Sequence, residues 1–321
     1  MKALLTVEFF YAVCGVIMAW VAGRILLGGT GPRRWGAAIF WGLLAVVFVG
    51  GKSIPPRFVG YSVLAMALLA ATGRIAPSRE NSTSRAERLA EADRLGNRVF
   101  WPALVIPATA VAGTLFLGRI HFGTYALLEP KQLTLVSLGL GAMLALILAL
   151  RLTGASLAEP GREGSRLLQA VGWALILPQL LAALGGIFAQ AGVGQIVADL
   201  VARALPAQFP LVAVAAYCVG MVLFTVIMGN AFAAFPVITL GIGLPLVVQQ
   251  HHGNPAIMAS IGMLSGYCGT LLTPMAANFN LVPAILLDLP DRHAVIKAQA
   301  PVAAAILVAN VLLMYLCVFR F

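Results

Sequence analysis

The chain has 321 residues, of which 61% are hydrophobic and only 10% charged, against about 25% charged residues in a typical soluble domain. No single soluble core could bury this much apolar surface, so the composition excludes an ordinary soluble protein. The net charge of +10 does not indicate nucleic-acid binding, because the basic residues are spread over short connections between apolar runs.

Ten apolar runs approach the length of about 20 residues that a helix needs to cross the hydrocarbon layer. They predict an all-α, polytopic membrane protein in which residues 1–321 form a single integral membrane domain. The first run is expected to be an uncleaved span, because it is longer than a signal-peptide core. The predicted spans are residues 3–27, 36–51, 57–73, 99–118, 132–151, 166–190, 209–229, 231–249, 255–272 and 299–319.

Lys and Arg residues are concentrated in alternate connections between these spans. The connections after the first, third and fifth spans hold twelve of them, whereas the N-terminus and the intervening connections hold six. The positive-inside rule therefore predicts that the N-terminus lies outside. The longest connection, residues 74–98, is predicted to be a cytoplasmic polar loop, and the spacing of Ser84 and Glu87 within it predicts a capped surface helix.

The side chains that serve enzymes and metal sites are scattered. His251 and His252 are adjacent in HHGNP, which predicts a turn, and no acid or cysteine lies near them in sequence. No GxSxG, HExxH or P-loop pattern occurs. We therefore predict no enzyme, no catalytic residue and no conventional metal site. The cysteines are expected to act as small hydrophobic residues, at positions Cys14, Cys218, Cys268 and Cys317.

Residues 204–287 contain no Asp, Glu, Lys or Arg, yet two polar clusters occur there. The first is FTVIMGNAFAAFPVITLGIGLP and the second is SGYCGTLLTPMAANFNLVP. Each runs from Thr and Gly to Asn and then to Pro, which removes a backbone donor and clashes with the preceding turn. We expect broken or re-entrant segments near residues 228–245 and 270–283. The residues expected to break the helices are Gly229, Pro236, Pro274 and Pro283.

An interrupted backbone at membrane depth is stable only where it is buried in protein or lines a watery cavity. Secondary transporters use such breaks as binding sites, in which helix N-termini attract anions and freed oxygens coordinate cations. The charge-free region therefore predicts a substrate or ion site for a small carboxylate. The alternative is a non-transporting structural or assembly subunit whose Asn and Pro clusters only pack helices.

The same residues resemble a prokaryotic membrane family known as domain-of-unknown-function family 979. The runs MGNAFAAFPVIT and GTLLTPMAANFN are specific, and the resemblance extends over nearly the whole chain through FWGLLAVVF, GNRVFWPALVIP and VIKAQ. The resemblance implies that the chain is one of two subunits of a 5-oxoproline (pyroglutamate) transporter in the cytoplasmic (inner) membrane. More distantly, the sequence resembles the ion-transporter superfamily of citrate, dicarboxylate and arsenite carriers, in which inverted repeats build a midplane site.

This resemblance implies a set of residues that bind the substrate or a coupling ion, Na⁺ or H⁺, with no other cofactor. The two clusters lie close together in sequence, and the first half of the chain has no equivalent pair. A transporter with inverted symmetry would then need its second half from another membrane subunit or from a second copy. The implied binding residues are Asn230, Thr239, Thr270, Thr273, Asn278 and Asn280.

Overall fold

The computed structural model describes residues 2–28, 33–73, 75, 85–156, 158–204, 208–287 and 289–320. The chain divides into two compact units, Met1–Gly172 and Trp173–Phe321. Both are built almost entirely from helices. The charge-free region, residues 204–287, lies entirely within the second unit.

The first unit contains seven α-helices among its described residues. Helix α1 packs along α2, and α5 packs along α6, so the unit is organised around pairs of helices that are consecutive in these two cases. Short 3₁₀ turns adjoin both ends of α5 and the start of α6. The helices are α1 (Val7–Gly28), α2 (Arg33–Gly50), α3 (Pro56–Ala71), α4 (Arg85–Leu95), α5 (Trp101–Leu115), α6 (Leu133–Thr153) and α7 (Ala158–Val171).

One strand of a small sheet precedes α1. The sequence predicts that a helix already begins at residue 3 there. Strand β1 (Lys2–Leu5) pairs in parallel with β3 (Tyr125–Leu128), which pairs antiparallel with β2 (His121–Phe122). The side chain of Glu129 then accepts a hydrogen bond of 2.9 Å from the Val7 backbone nitrogen. This bond satisfies one of the amides that the first turn of α1 leaves without a helical partner. The helix therefore begins at Val7, and apart from this small sheet the described residues agree with the predicted all-α fold.

The predicted polar helix in residues 74–98 is present as α4. Its charged residues pair along the helix surface, where Arg94 Nε donates to Glu91 Oε2 across 2.9 Å. Such i,i+3 pairs support a helix whose described residues are almost all exposed. The predicted cap residue, Ser84, lies outside the described residues.

The second unit carries both polar clusters. Its helices are α8 (Leu177–Gln190), α9 (Val193–Ala204), α10 (Pro210–Met228), α11 (Ala231–Ile238), a π-helix (Thr239–Gln250), α12 (Pro255–Leu271), α13 (Ala277–Leu286) and α14 (Ala294–Cys317). The centre of this unit is the close contact of α10 with α12. Gly262 faces the ring of Tyr217, so the absence of a side chain there lets the two backbones approach.

Seven helical segments of the described residues are long and apolar enough to cross a membrane, which agrees with a polytopic membrane protein. The predicted runs 36–51, 57–73 and 255–272 form helices of 18, 16 and 17 residues, at or below the usual spanning length. The seven segments are Val7–Gly28, Leu89–Arg119, Pro130–Thr153, Ala158–Phe188, Pro210–Met228, Ala231–Gln250 and Ala294–Cys317.

Candidate functional site

The first break separates α10 from α11 at two residues. Gly229 has φ +71°, and its amide donates to the Thr225 carbonyl oxygen across 2.7 Å, which is the left-handed C-cap that glycine favours. A methyl group at Gly229 would also lie 2.7 Å from Met275 Cβ and 2.9 Å from Leu181 Cδ1. Both the backbone angle and the packing therefore require glycine here.

Asn230 completes this break as the N-cap of α11. Its backbone is extended, with φ −150°, and its side-chain oxygen accepts a hydrogen bond of 2.8 Å from the Phe232 amide. Asparagine is among the residues that most favour this position, because it satisfies an amide that the helix cannot. The side chain is partly exposed, so its amide group can also face the neighbouring cavity.

The second break separates α12 from α13 and occupies residues 272–276. The amide of Leu272 turns back to the Gly269 carbonyl oxygen at 3.1 Å, which tightens the last turn of α12. Thr273 Oγ1 donates to the Val226 carbonyl oxygen at 2.9 Å and accepts from the Met275 amide at 3.2 Å. Pro274 follows in the break, where its missing amide costs no helical hydrogen bond.

Asn280, on α13, stabilises the second break with two side-chain hydrogen bonds. Its Nδ2 donates to the carbonyl oxygens of Thr270 at 2.8 Å and of Thr273 at 2.7 Å, and the residue is fully buried. The first carbonyl belongs to the last turn of α12 and the second to the break, and a continuous helix would have paired both with later amides. Asn280 therefore replaces backbone hydrogen bonds that the break removes, and it fixes α13 against α12.

The helices that follow the two breaks open onto one cavity of about 210 Å³. The N-terminal residues of α11 and the first turn of α13 both contribute to its wall. None of the lining side chains carries a formal charge, and an aromatic pair, Phe232 and Tyr267, stands edge to face with ring centres 6.2 Å apart. The lining residues are Leu181, Gly229, Asn230, Ala231, Phe232, Tyr267, Thr270, Met275, Asn278 and Phe279.

Five of the six predicted binding residues lie in the lining of the cavity or in and beside the second break, where their contacts differ. Asn230, Thr270 and Asn278 line the cavity. Thr273 and Asn280 are buried in the second break. Thr239 lies outside the lining, at the start of the π-helix, where its hydroxyl is 2.9 Å from the Tyr217 hydroxyl.

Two of the four predicted helix-breaking residues lie inside helices. Pro236 lies within α11 and Pro283 within α13, whereas Gly229 and Pro274 lie in the breaks. The expectation that Pro236 and Pro283 interrupt their helices is therefore wrong. Apolar helices tolerate a proline where neighbouring groups and local changes of helical pitch accommodate it. After Pro236, the pitch changes from α to π at Thr239.

The sequence-based prediction did not include several residues that line the cavity, among them Leu181 and Tyr267. Leu181 reaches the cavity from α8, and an apolar residue in an apolar helix gives no signal of that. Tyr267 belongs to the second quoted cluster, but its residue type alone does not separate a lining residue from a packing residue. No group of three or more His, Cys, Asp or Glu side chains that could hold a metal ion occurs among the described residues.

One family model matches almost the entire chain. It is described as "Protein of unknown function (DUF979)" and covers residues 8–319, which include both units and both breaks. No curated protein and no solved structure matches the chain. The family resemblance read from the two specific runs is thereby confirmed, whereas the transporter-subunit role and the ion-transporter superfamily stay predictions.

Proposed function

The chain belongs to the DUF979 family of proteins of unknown function, and from its site we propose that it is a subunit of a secondary transporter for a small carboxylate. One observation carries the proposal: the N-termini of α11 and α13 line the same uncharged cavity. Each helix N-terminus acts as roughly half a positive charge through its unpaired amides. Together they favour a single negative charge without any Lys or Arg.

The rest of the lining suits the body of a small organic anion. Asn278 and Asn230 offer amide groups that donate and accept hydrogen bonds, while Phe232, Phe279 and Met275 offer apolar surface. A volume of about 210 Å³ accommodates a compact molecule. The 5-oxoproline that the family resemblance implies combines a carboxylate, an amide edge and a short apolar ring, so it is our first candidate.

The proposal also includes the membrane in which the protein lies, its orientation and its partner subunit. We place it in the cytoplasmic membrane of a prokaryote, with the N-terminus outside as the distribution of Lys and Arg predicts. The second unit contains one pair of breaks, so the opposite half of an inverted-repeat site would come from a second subunit or a second copy. Transport would be driven by an ion gradient.

A structural or assembly role is the second candidate, and specific contacts favour it. Asn230 caps α11, and Asn280 donates to one carbonyl at the end of α12 and one in the second break, so both have packing roles that need no ligand. Asn278 separates the two candidates. Its side chain is exposed to the cavity, and no hydrogen bond joins it to another described residue.

The test is uptake of radiolabelled 5-oxoproline into liposomes that contain the full-length chain with any co-purifying subunit. Asn278→Ala should lower uptake at least about tenfold, the effect of losing one hydrogen bond to a charged group, with no loss of folded protein. Ser260→Ala is the control, because that hydroxyl donates to the Ala256 carbonyl oxygen of its own helix. Unchanged uptake in Asn278→Ala would reject the site. Saturable uptake by the purified chain alone would reject an obligatory second subunit.

A further inference from the structure

A third helix break lies between α8 and α9, where the sequence predicts only the end of a span at residue 190. The Ala191 amide closes the last turn of α8 on the Ile187 carbonyl oxygen at 2.9 Å. Gly192 then has φ +70°, and its carbonyl oxygen accepts from the Gln195 amide at 3.0 Å, which begins α9. The two helices have 14 and 12 residues, so neither is long enough to cross a membrane alone.

This break lies at the same depth as the change from α11 to the π-helix. Helix α8 runs beside α11 in the same direction, because a methyl group at Gly229 would lie 2.9 Å from Leu181 Cδ1 and one at Gly185 would lie 2.7 Å from Ala233 Cβ. The rest of α8 covers about 8 Å. The break is therefore level with the end of α11, inside the apolar segment Ala231–Gln250 that is long enough to span a membrane.

One face of α9 packs against the π-helix and the core of the second unit. A methyl group at Gly194 would lie 3.0 Å from the Val237 carbonyl oxygen and 3.7 Å from the Gly241 nitrogen. Val197 and Val201 pack against the buried cluster that α10, the π-helix and α12 form. These contacts determine which face of α9 points away from the unit.

The outward face of α9 carries a row of polar residues, which we call the α9 stripe: Gln195, Asp199 and Arg203. They are spaced four residues apart, so they follow one another along the helix, and all three are exposed. Gln190 is also exposed, at the end of α8. None of these four side chains has a hydrogen bond or ion pair with another described residue, and Asp199 does not pair with Arg203 one turn away.

Hydrocarbon gives such a stripe no partner. Irregular backbone and free amides at membrane depth need protein or water around them, and charged residues in spanning regions almost always pair with other groups. Ile196 and Leu200, beside the stripe, are 58% and 62% exposed. An exposed face with apolar residues beside a polar row suits a protein neighbour better than bulk water.

We propose that the α9 stripe packs against the same stripe of a second copy of this chain, about a two-fold axis normal to the membrane. The stripe is its own complement, because glutamine amides both donate and accept hydrogen bonds. The two-fold axis also pairs Asp199 of each copy with Arg203 of the other. This self-complementarity favours a second copy over lipid or a different protein. The inference does not rest on the proposed transport and applies equally to a structural subunit.

The experiment measures the oligomeric state of the full-length chain in liposomes by single-molecule photobleaching of fluorescently tagged copies. The unmodified chain should bleach in two steps. Asp199→Arg makes the stripe doubly positive, and Arg203→Asp makes it doubly negative. Each should raise the dimer Kd at least about tenfold, because like charges then face each other across the axis. Arg203→Lys keeps the charge and should keep the dimer.

The decisive measurement mixes the two charge reversals. Chains with Asp199→Arg and chains with Arg203→Asp, tagged differently and expressed together, should copurify as a mixed dimer, because one stripe is positive and the other negative. A chain with both substitutions should dimerise with itself again. Thermal melts check that each variant is folded, which we expect because the packed face of α9 is unchanged.

The possible results separate the occupants of this face. A monomeric unmodified chain would overturn the proposal, as would a dimer that survives both reversals, since its contact would then lie elsewhere. Loss of the dimer in both variants without a mixed dimer would assign the stripe to another segment of the chain or to a different protein. If the single variants fold only when expressed together, that rescue would support the proposal.

Discussion

The hydroxyl of Thr273 donates a hydrogen bond to the backbone carbonyl oxygen of Val226 across 2.9 Å, and this joins the second break to the last turn of α10. Val226 lies where α10 ends, so its carbonyl has few helical amides left to pair with. A side chain of the second break is therefore bonded to the backbone of the helical turn that leads into the first break.

Replacing this hydroxyl should destabilise the protein. Thr273→Val conserves the shape but leaves the Val226 carbonyl without its donor, which should cost about 1–3 kcal/mol. The measurement is the thermal melt of the purified chain in detergent, compared with Thr273→Ser, which retains the hydroxyl. Equal melting of Thr273→Val and Thr273→Ser would mean that water replaces this bond and that the tie between the breaks is weak.

Gly229→Ala should be more damaging than Thr273→Val. It places a side chain at φ +71° and within 2.9 Å of both Met275 Cβ and Leu181 Cδ1, so strain and overpacking together should cost about 2–4 kcal/mol. Gly186→Ala on α8 is the matched control, because nothing lies within 4 Å of the added methyl group. In a helix that substitution should be neutral or stabilising. A small effect at Gly229 would contradict the geometry of the first break.

The sequence indicates where the two helix breaks lie, but it does not indicate which role each residue of a break has. Gly229, Asn230 and Pro274 are residue types with strong backbone preferences, and in a region without charges they mark where helices stop. Pro236 and Pro283 have equally strong preferences but lie inside helices, because the surrounding unit accommodates them. The residue types thus predict that a break occurs nearby, whereas tertiary packing determines the residue at which it occurs.

The same limit applies to the polar residues of the site. Asn278 and Asn280 are two positions apart, yet one faces the cavity and the other is buried against α12. A helix turns about 200° over two residues, so opposite environments follow once the start of α13 is known. That start depends on the length of the break, which no residue pattern specifies. The N-terminal strand is similar, because its partner β3 lies far along the chain.

Thr239 should prove to be a packing residue. Its hydroxyl is 2.9 Å from that of Tyr217 and lies outside the cavity lining. Thr239→Val should therefore lower stability by about 1–3 kcal/mol through the unpaired Tyr217 hydroxyl, while uptake per folded molecule stays unchanged. In Thr239→Val combined with Tyr217→Phe, both partners are apolar, and most of the stability should return. Loss of uptake without loss of stability would restore Thr239 to the site.

Asn230→Asp separates capping from anion binding at a single position. Aspartate caps a helix as well as asparagine does, so the 2.8 Å bond to the Phe232 amide and the melting temperature should be retained. The new charge would stand in the wall of the cavity and compete for the helix N-terminus that is proposed to hold the carboxylate.

We therefore expect Asn230→Asp to fold normally and to lose carboxylate binding, with Kd for 5-oxoproline raised by at least about tenfold through like-charge repulsion in a poorly solvated cavity. Asn230→Ala should differ in both respects: it loses the cap and about 1 kcal/mol of stability, and it weakens binding only by the loss of one amide hydrogen bond, because it introduces no charge. Both variants are measured by thermal melt and by ligand-induced stabilisation. If Asn230→Asp binds carboxylates as well as the unmodified chain, the cavity does not hold an anion, and the structural role of the Asn and Pro clusters becomes the better account.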